Sequence, residues 1–244
     1  MSTYFRNFPL IRYKFGDDEA PVLFQNLTTY VDVLDTVADD ANFYNKYQIL
    51  SGDRPDVVSY KLYGTTNYYW TFFLLNKHIK ESGWPISDRQ LAENIAETYP
   101  HQVITVEDNI ADTLFQIGAT VEGNTSGSTG VIIDRNLDLG QMVISSVQDF
   151  ANGEVIRTGT VLANQSFSRV YSHVSQQNSV HHYENTDGEY VDINPFDQTS
   201  TNGLIPITVI ERYIAKNDEL KSINVLRPQA VERISNEYQK LLRS

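Results

Sequence analysis

The sequence predicts an α+β fold: a strand followed by two helices as the core unit, a small all-β, barrel-like module inserted after it, and a helix at the C-terminus. Three observations carry this reading. Residues 43–75 alternate as a strand and then switch to helical spacing behind the turn Ser51-Gly52-Asp53. From Val103 to Val161 the composition changes to short β-branched runs broken by Gly, Asn and Ser. Past Pro228, apolar residues recur on one helical face. A chain of 244 residues that is 41% hydrophobic and 20% charged can bury a real core and is too apolar for general disorder.

The run Phe5 to Gly16 is aromatic and apolar, carries Pro9 and has no helical period, so it reads as an extended arm that needs a surface to lie on. Asp17-Asp18-Glu19 reads as a solvated loop. Val31, Leu34 and Val37 predict a short helix over Leu27–Ala38. Phe43 to Leu50 alternates, with Phe43, Asn45, Tyr47 and Ile49 on one face of a strand. Asp53 is the expected N-cap of the next helix, with Pro55 and Asp56 in its first turn and Gly64 at its end. Asn67 is the expected cap of a second helix, Tyr68–Leu75, apolar all round and therefore buried. Ser87 and Gln90 form a capping-box pattern ahead of a third helix, Asp88–Thr98, stopped by Pro100.

Five strands are expected next, at 103–106, 114–121, 130–133, 142–147 and 154–161. Within them Phe115-x-x-Gly118-x-x-Val121 is echoed by Phe150-x-x-Gly153-x-x-Ile156, a pattern compatible with two related hairpins of one small barrel. Gly123 to Gly130 reads as a flexible loop tip. Asp187-Gly188 signals a hairpin over Val180–Ile193, and Pro195 to Gly203 an irregular polar loop. A helix over Thr208–Leu220, a strand at Ile223–Leu226 and a terminal helix follow; its stripe of Val231, Ile234, Tyr238 and Leu241 or Leu242 must dock on its own core or on a neighbour.

The chemistry that composition allows is narrow. The 19 Lys and Arg against 31 Asp and Glu give a net charge of −12, which opposes binding to nucleic acid or to anionic membranes. There is no cysteine, hence no disulfide, thiolate nucleophile or Cys-based zinc site. Met1 to Leu10 does not read as a secretion signal, and Tyr68–Leu75 is far shorter than the roughly 20 residues of a membrane span. No phosphate loop, nucleophile elbow or His-Glu-x-x-His helix occurs. His181 and His182, as strand neighbours, are expected on opposite faces, so they would not share a metal. Asn185-Thr186-Asp187-Gly188 lacks the acids of a calcium loop, with Tyr183 and Asn194 at its end positions. No cofactor, metal or catalytic group is expected. The 15 Tyr and 11 Phe instead suit a protein made for contacts.

The block Tyr44-Asn45-Lys46-Tyr47-Gln48-Ile49-Leu50-Ser51-Gly52-Asp53-Arg54-Pro55-Asp56-Val57-Val58-Ser59-Tyr60-Lys61-Leu62-Tyr63-Gly64, followed by Asn67-Tyr68-Tyr69-Trp70 and Leu74-Leu75-Asn76, resembles the central signature of the baseplate wedge protein 53 family of T-even-like contractile-tailed phages. Lys216-Asn217-Asp218-Glu219-Leu220-Lys221-Ser222-Ile223, leading into a terminal helix, resembles that family again. The same block looks like a divergent LysM module, which implies a strand-helix-helix-strand core with Ile223–Leu226 as the returning strand. The organisation expected on that basis is an N-terminal arm and short helix (1–40), a LysM-like first part plus an extra helix (41–101), an inserted β module (102–170), a hairpin and loop (171–206), and a closing helix, strand and helix (207–244).

The resemblance implies a structural subunit that clamps neighbouring wedges together in the tail baseplate of a virion, assembled in the host bacterial cytoplasm. Its implied partners are the large wedge scaffold proteins and the small lysozyme-like wedge protein, with neighbouring copies and the hub as further candidates. Phe5, Phe8, Pro9, Tyr13 and Phe15 of the arm, with Tyr238, are the expected interface residues. A genuine LysM module would instead bind peptidoglycan or chitin in a groove formed by Ser51, Gly52, Asp53, Arg54, Pro55 and Asn76.

Overall fold

The computed structural model describes residues 8–14, 20–25, 43–107, 115–146, 148–158, 166–197 and 199–243. The expected helix over 27–38, the acidic cluster 17–19, and Phe5 and Phe15 lie outside the described residues. The chain divides into two compact units, Met1–Asp88 with Lys216–Ser244, and Arg89–Ala215.

In the first unit the expected arm is a strand, β1 (Leu10–Tyr13), paired antiparallel with β2 (Val22–Gln25). The second strand is too short to show alternation in the sequence. β3 (Tyr44–Gln48) is followed by α1 (Pro55–Tyr63), a single 3₁₀ turn at Thr66–Tyr68, α2 (Trp70–Leu75) and α3 (Lys77–Ser82). Pro55 stands at the first helical position, so the N-cap of α1 is Arg54, one residue later than expected. The 3₁₀ turn is capped by Thr65, which accepts from Asn67 N at 3.3 Å, so the helix expected from Tyr68 begins at Trp70. The second unit opens on α4 (Asp88–Thr98), which matches its expected bounds and buries Leu91 and Ile95.

The second unit is built on a closed, fully antiparallel barrel: β4 (Gln102–Val106), β5 (Thr120–Gly123), β6 (Thr129–Asn136), β7 (Gln141–Ser146), β8 (Val155–Thr158) and β9 (Ser166–Ser175), in the spatial order β4-β7-β6-β5-β8-β9. Its interior is a side-chain core that includes Ile104, Val121, Ile132, Met142, Ile144, Ile156 and Val170. The strand expected at 114–121 begins only at Thr120, because Phe115 to Ala119 form a turn with Gly118 at φ 87° and Phe115 at φ 49°. Phe115 plugs the core, and Phe150 does the same ahead of β8. Gly118 N–H bonds to Ile132 of β6, and Gly153 N–H bonds to Val170 of β9. Thus the Phe-x-x-Gly echo marks two equivalent hairpins, β5–β6 and β8–β9.

The segment 123–130 is not a loose tip. Glu154, 5% exposed, accepts from the backbone N–H of Thr125, Ser126 and Ala151 at 3.0, 2.9 and 2.6 Å and from Ser126 Oγ at 2.8 Å. Ser128 is buried and its hydroxyl donates to Asp149 O. A Cβ on Gly123 would meet both Glu154 oxygens, so only glycine leaves room for this cap.

β10 (Val180–Glu184), β11 (Tyr190–Val191) and β12 (Ile205–Thr208) make a three-stranded sheet in the order β11-β10-β12. A bulge between Val180 and His182 breaks the expected alternation there, so the Nδ1 atoms of His181 and His182 lie 2.9 Å apart rather than on opposite faces. Thr208 and Glu211 form a reciprocal capping box at the start of α5 (Val209–Lys221).

Back in the first unit, β13 (Ser222–Leu226) pairs antiparallel with β3, from Ser222↔Gln48 to Leu226↔Tyr44, and α6 (Pro228–Arg243) ends the chain. Its stripe docks on its own unit: Val231 and Ile234 pack with Leu75 and Leu226, and Tyr238 packs with Phe8 and Trp70.

Candidate interaction surfaces

The turn between β3 and α1 is held from several sides. Gly52 takes φ 84°, and Asp53 N–H closes the turn on Leu50 O at 3.0 Å. Lys61 Nζ reaches both Asp53 oxygens, at 2.9 and 2.6 Å, and this hydrogen bond raises the lysine's pKa above its usual value. Trp84 Nε1 donates to Asp53 O at 2.7 Å. Ser51 Oγ accepts from Asp88 N at 3.1 Å, while Arg54 and Asp56 form an exposed ion pair at 3.2 Å. Ser51 and Gly52 are exposed, whereas Asp53 and Pro55 are half-buried.

Asn76 does not join them at a surface. It is 3% exposed; its Nδ2 donates to the carbonyls of Phe72 and Asn224, both at 2.8 Å, and its Oδ1 accepts from Asn224 N at 2.7 Å. Both amide N–H groups are spent on backbone, so this residue clips α2 to β13. Asn217 works the same way, accepting from Ile86 N at 3.0 Å and donating to Ile86 O at 3.1 Å. Each asparagine closes on itself the polar edge of a segment far away in sequence, a role no local pattern reveals.

The aromatic residues expected at an interface divide into two groups. Phe8 is 7% exposed and Tyr238 2% exposed, and the Tyr238 ring stacks on Trp70 at 5.2 Å. Their apolar bodies are consumed in the unit's own core, which removes both from any docking surface. Pro9 is half-buried. Tyr13, in contrast, is 53% exposed, and with it Leu10, Ile11, Val22 and Leu23 of the β1–β2 ribbon. A two-stranded hairpin is at best marginally stable in water by itself. This one nevertheless turns apolar side chains outward from both of its faces.

In the barrel-bearing unit, a cavity of ≈ 130 Å³ opens between the end of β4, β9, β10 and the loop after β11. Tyr171, Tyr183 and Phe196 line it, together with Glu107, Asn194 and Asp197. Burial, and then the neighbouring Tyr171, raises the Tyr183 pKa; the Thr199 hydroxyl and N–H bonded to Asp197 Oδ1 lower that carboxyl's. Among the described residues no group of three or more His, Asp or Glu could hold a metal ion, and no helix is long and apolar enough to cross a membrane.

Residues 17–118 match the family model described as base plate wedge protein 53. The match supports the baseplate wedge protein 53 family and, with it, a structural role in the tail baseplate of a phage virion among other baseplate components. It runs from ahead of β2 through β3, the four helices α1 to α4 and β4, and stops at the Gly118 turn. No curated protein matches the chain. The wedge-family segment therefore contains the Ser51–Pro55 turn, the Asn76 clip and one strand of the exposed ribbon, and β13 supplies from outside it the strand that pairs with β3.

Proposed function

We propose that this chain is a non-enzymatic clamp that joins neighbouring wedges during baseplate assembly in the host cytoplasm, and that the β1–β2 ribbon is its joining element. The exposed Leu10, Ile11, Tyr13, Val22 and Leu23 carry the reading. A ribbon of four-residue strands gains lasting order only when a partner covers it. The large wedge scaffold proteins and the lysozyme-like wedge protein are the partners proposed. The test is co-expression with wedge proteins, followed by size exclusion and electron microscopy. Wedges should join into rings with the full chain and stay separate when residues 10–25 are deleted, a cut that keeps Phe8 in the core; rings that form equally well without the ribbon would refute the assignment.

A second reading has one observation in its favour: the order strand, helix, helix and antiparallel return strand of β3, α1, α2 and β13. It is the order a LysM-type peptidoglycan or chitin binder would need. The burial of Asn76 and the Lys61 and Trp84 bonds to Asp53 leave such a groove fewer free polar groups. Retention on insoluble chitin or peptidoglycan, without effect on wedge joining, would favour it.

A further inference from the structure

We infer that the ribbon docks on the barrel-bearing unit of a second copy of this chain, its Arg12 guanidinium seated in the cavity bounded by Tyr171, Phe196 and Asp197. This rests on the ribbon being the joining element and names its receptor.

The argument begins with charge. Residues 1–14 contain Arg6, Arg12 and Lys14 and no acid; with those three cations set aside from the net −12, the rest of the chain carries −15. Arg12 and Lys14 are exposed and form no ion pair among the described residues. In the pairing of β1 with β2, Arg12 lies opposite Leu23 and Leu10 opposite Gln25, so one face presents a cation flanked by two exposed leucines.

The receptor is complementary. Glu107 and Asp197 line the cavity with three aromatic rings, and among the described residues no Lys or Arg does. Residues 184–197, which supply part of its wall, contain Glu184, Asp187, Glu189, Asp192 and Asp197 without a single cation. Both bonds that the Asp197 carboxylate accepts among the described residues fall on Oδ1, and the phenol oxygens of Tyr171 and Tyr183 have no hydrogen-bond partner among them. Glu107 is held only loosely, by Arg169 at 3.8 Å. A space of ≈ 130 Å³ is below the roughly 300 Å³ at which small-molecule sites begin, and suits one inserted side chain. A planar guanidinium fits best, since it stacks on aromatic faces while donating to carboxylates. Leu139, Ile193 and Pro195 then stand at the cavity to meet the flanking leucines.

Donor and receptor are different surfaces, so the contact is head-to-tail, and repeated copies close into a ring or extend as a chain. That is the geometry a joint between neighbouring wedges requires.

Sedimentation velocity of the full chain at high concentration tests it. Self-association should appear at low salt and weaken as salt rises. Arg12→Glu and Asp197→Arg should each weaken it about 30-fold or more, and an equimolar mixture of the two variants should regain it, because both mixed contacts pair opposite charges. A chain that stays monomeric, association indifferent to either substitution, or no recovery on mixing overturns the inference. In the wedge-joining assay, rings lost on deleting residues 10–25 but kept with Arg12→Glu would overturn this receptor and leave the clamp standing.

Discussion

Replacing Glu154 by glutamine removes one charge and changes little else in size, yet it should destabilise the barrel severely. The carboxylate of Glu154 takes three backbone N–H groups and one hydroxyl from the 123–130 cap and the turn before β8. Burial alone would raise its pKa, but those four donors outweigh it and hold the group below the usual carboxylate value. Hydrogen bonds to a charged acceptor contribute about 1.5–3 kcal/mol each, neutral ones about 1 kcal/mol, and a buried donor left facing another donor costs about 1–3 kcal/mol. An amide at this site weakens the surviving bonds and turns its own N–H against at least one backbone N–H. The expected loss is therefore about 2–4 kcal/mol. In a unit of this size that lowers the melting temperature by about 10 °C. The assay is calorimetric or urea unfolding of wild type and Glu154→Gln at pH 7 and again in acid. With a lowered folded pKa, the stabilisation is complete above the unfolded glutamate pKa of about 4.3 and disappears as pH falls through the folded value. The gap between the two proteins should accordingly close in acid. A difference below about 0.5 kcal/mol at pH 7, or one that persists unchanged in acid, would refute the reasoning.

Asn76→Ala should cost about 3 kcal/mol in urea unfolding, since it strands the N–H and the carbonyl of Asn224, while Phe72 O keeps the backbone N–H of residue 76; a loss confined to sugar retention would contradict the clip. Gly130→Ala places a Cβ against the Ile144 side chain and within 2.9 Å of Ser145 O, so overpacking of about 1–3 kcal/mol should show as a lower melting temperature. Tyr238→Ala should lower stability by about 3–5 kcal/mol, with wedge joining spared in whatever chain remains folded; the reverse outcome would return Tyr238 to an interface. Replacing residues 89–215 by a short Gly/Ser linker should leave a first unit that unfolds cooperatively, checked by the sharpness of its thermal transition.

Local periodicity decided which elements were legible in the sequence. α4 has a 3.6-residue stripe with a proline behind it, and nothing outside the helix was needed to place it. β9 shows the opposite case. Its inward positions are Ser168 and Val170, both buried, while Phe167 and Tyr171 point outward and are more than half exposed. The hydrophobic alternation is partly inverted, so a pattern reading cannot see this strand as half of a barrel wall. Asp53 failed as a cap for a stereochemical reason: Pro55 prefers the first helical position and moved the cap to Arg54. The candidate surface was harder still. That Phe8 would be buried against Tyr238 depends on contacts between opposite ends of the chain, and the bulge that gathers His181 and His182 depends on pairing with β12.

The clips of the first unit explain how it can carry an insertion longer than itself, Arg89–Ala215, between Asp88 and Lys216. Closing a long loop costs an entropy that grows only with the logarithm of its length, so the burden falls on the few contacts that hold the ends together. Here those contacts belong to the first unit alone. Asn217 pairs both polar backbone groups of Ile86, and Lys221 Nζ reaches Asp88 at 3.3 Å and Asp218 at 2.7 Å. Beside them Ser51 Oγ accepts from Asp88 N, and Ile49 N–H donates to Lys221 O at 2.8 Å. The residues that resemble the wedge family at the C-terminal side, Lys216 to Ile223, are thus the ones that close this neck and lead straight into β13. A neck closed from within the core does not depend on what lies beyond it. That independence is what allows a barrel with its own core and its own acidic, aromatic surface to sit within a chain whose β3–β13 pair and helices remain intact.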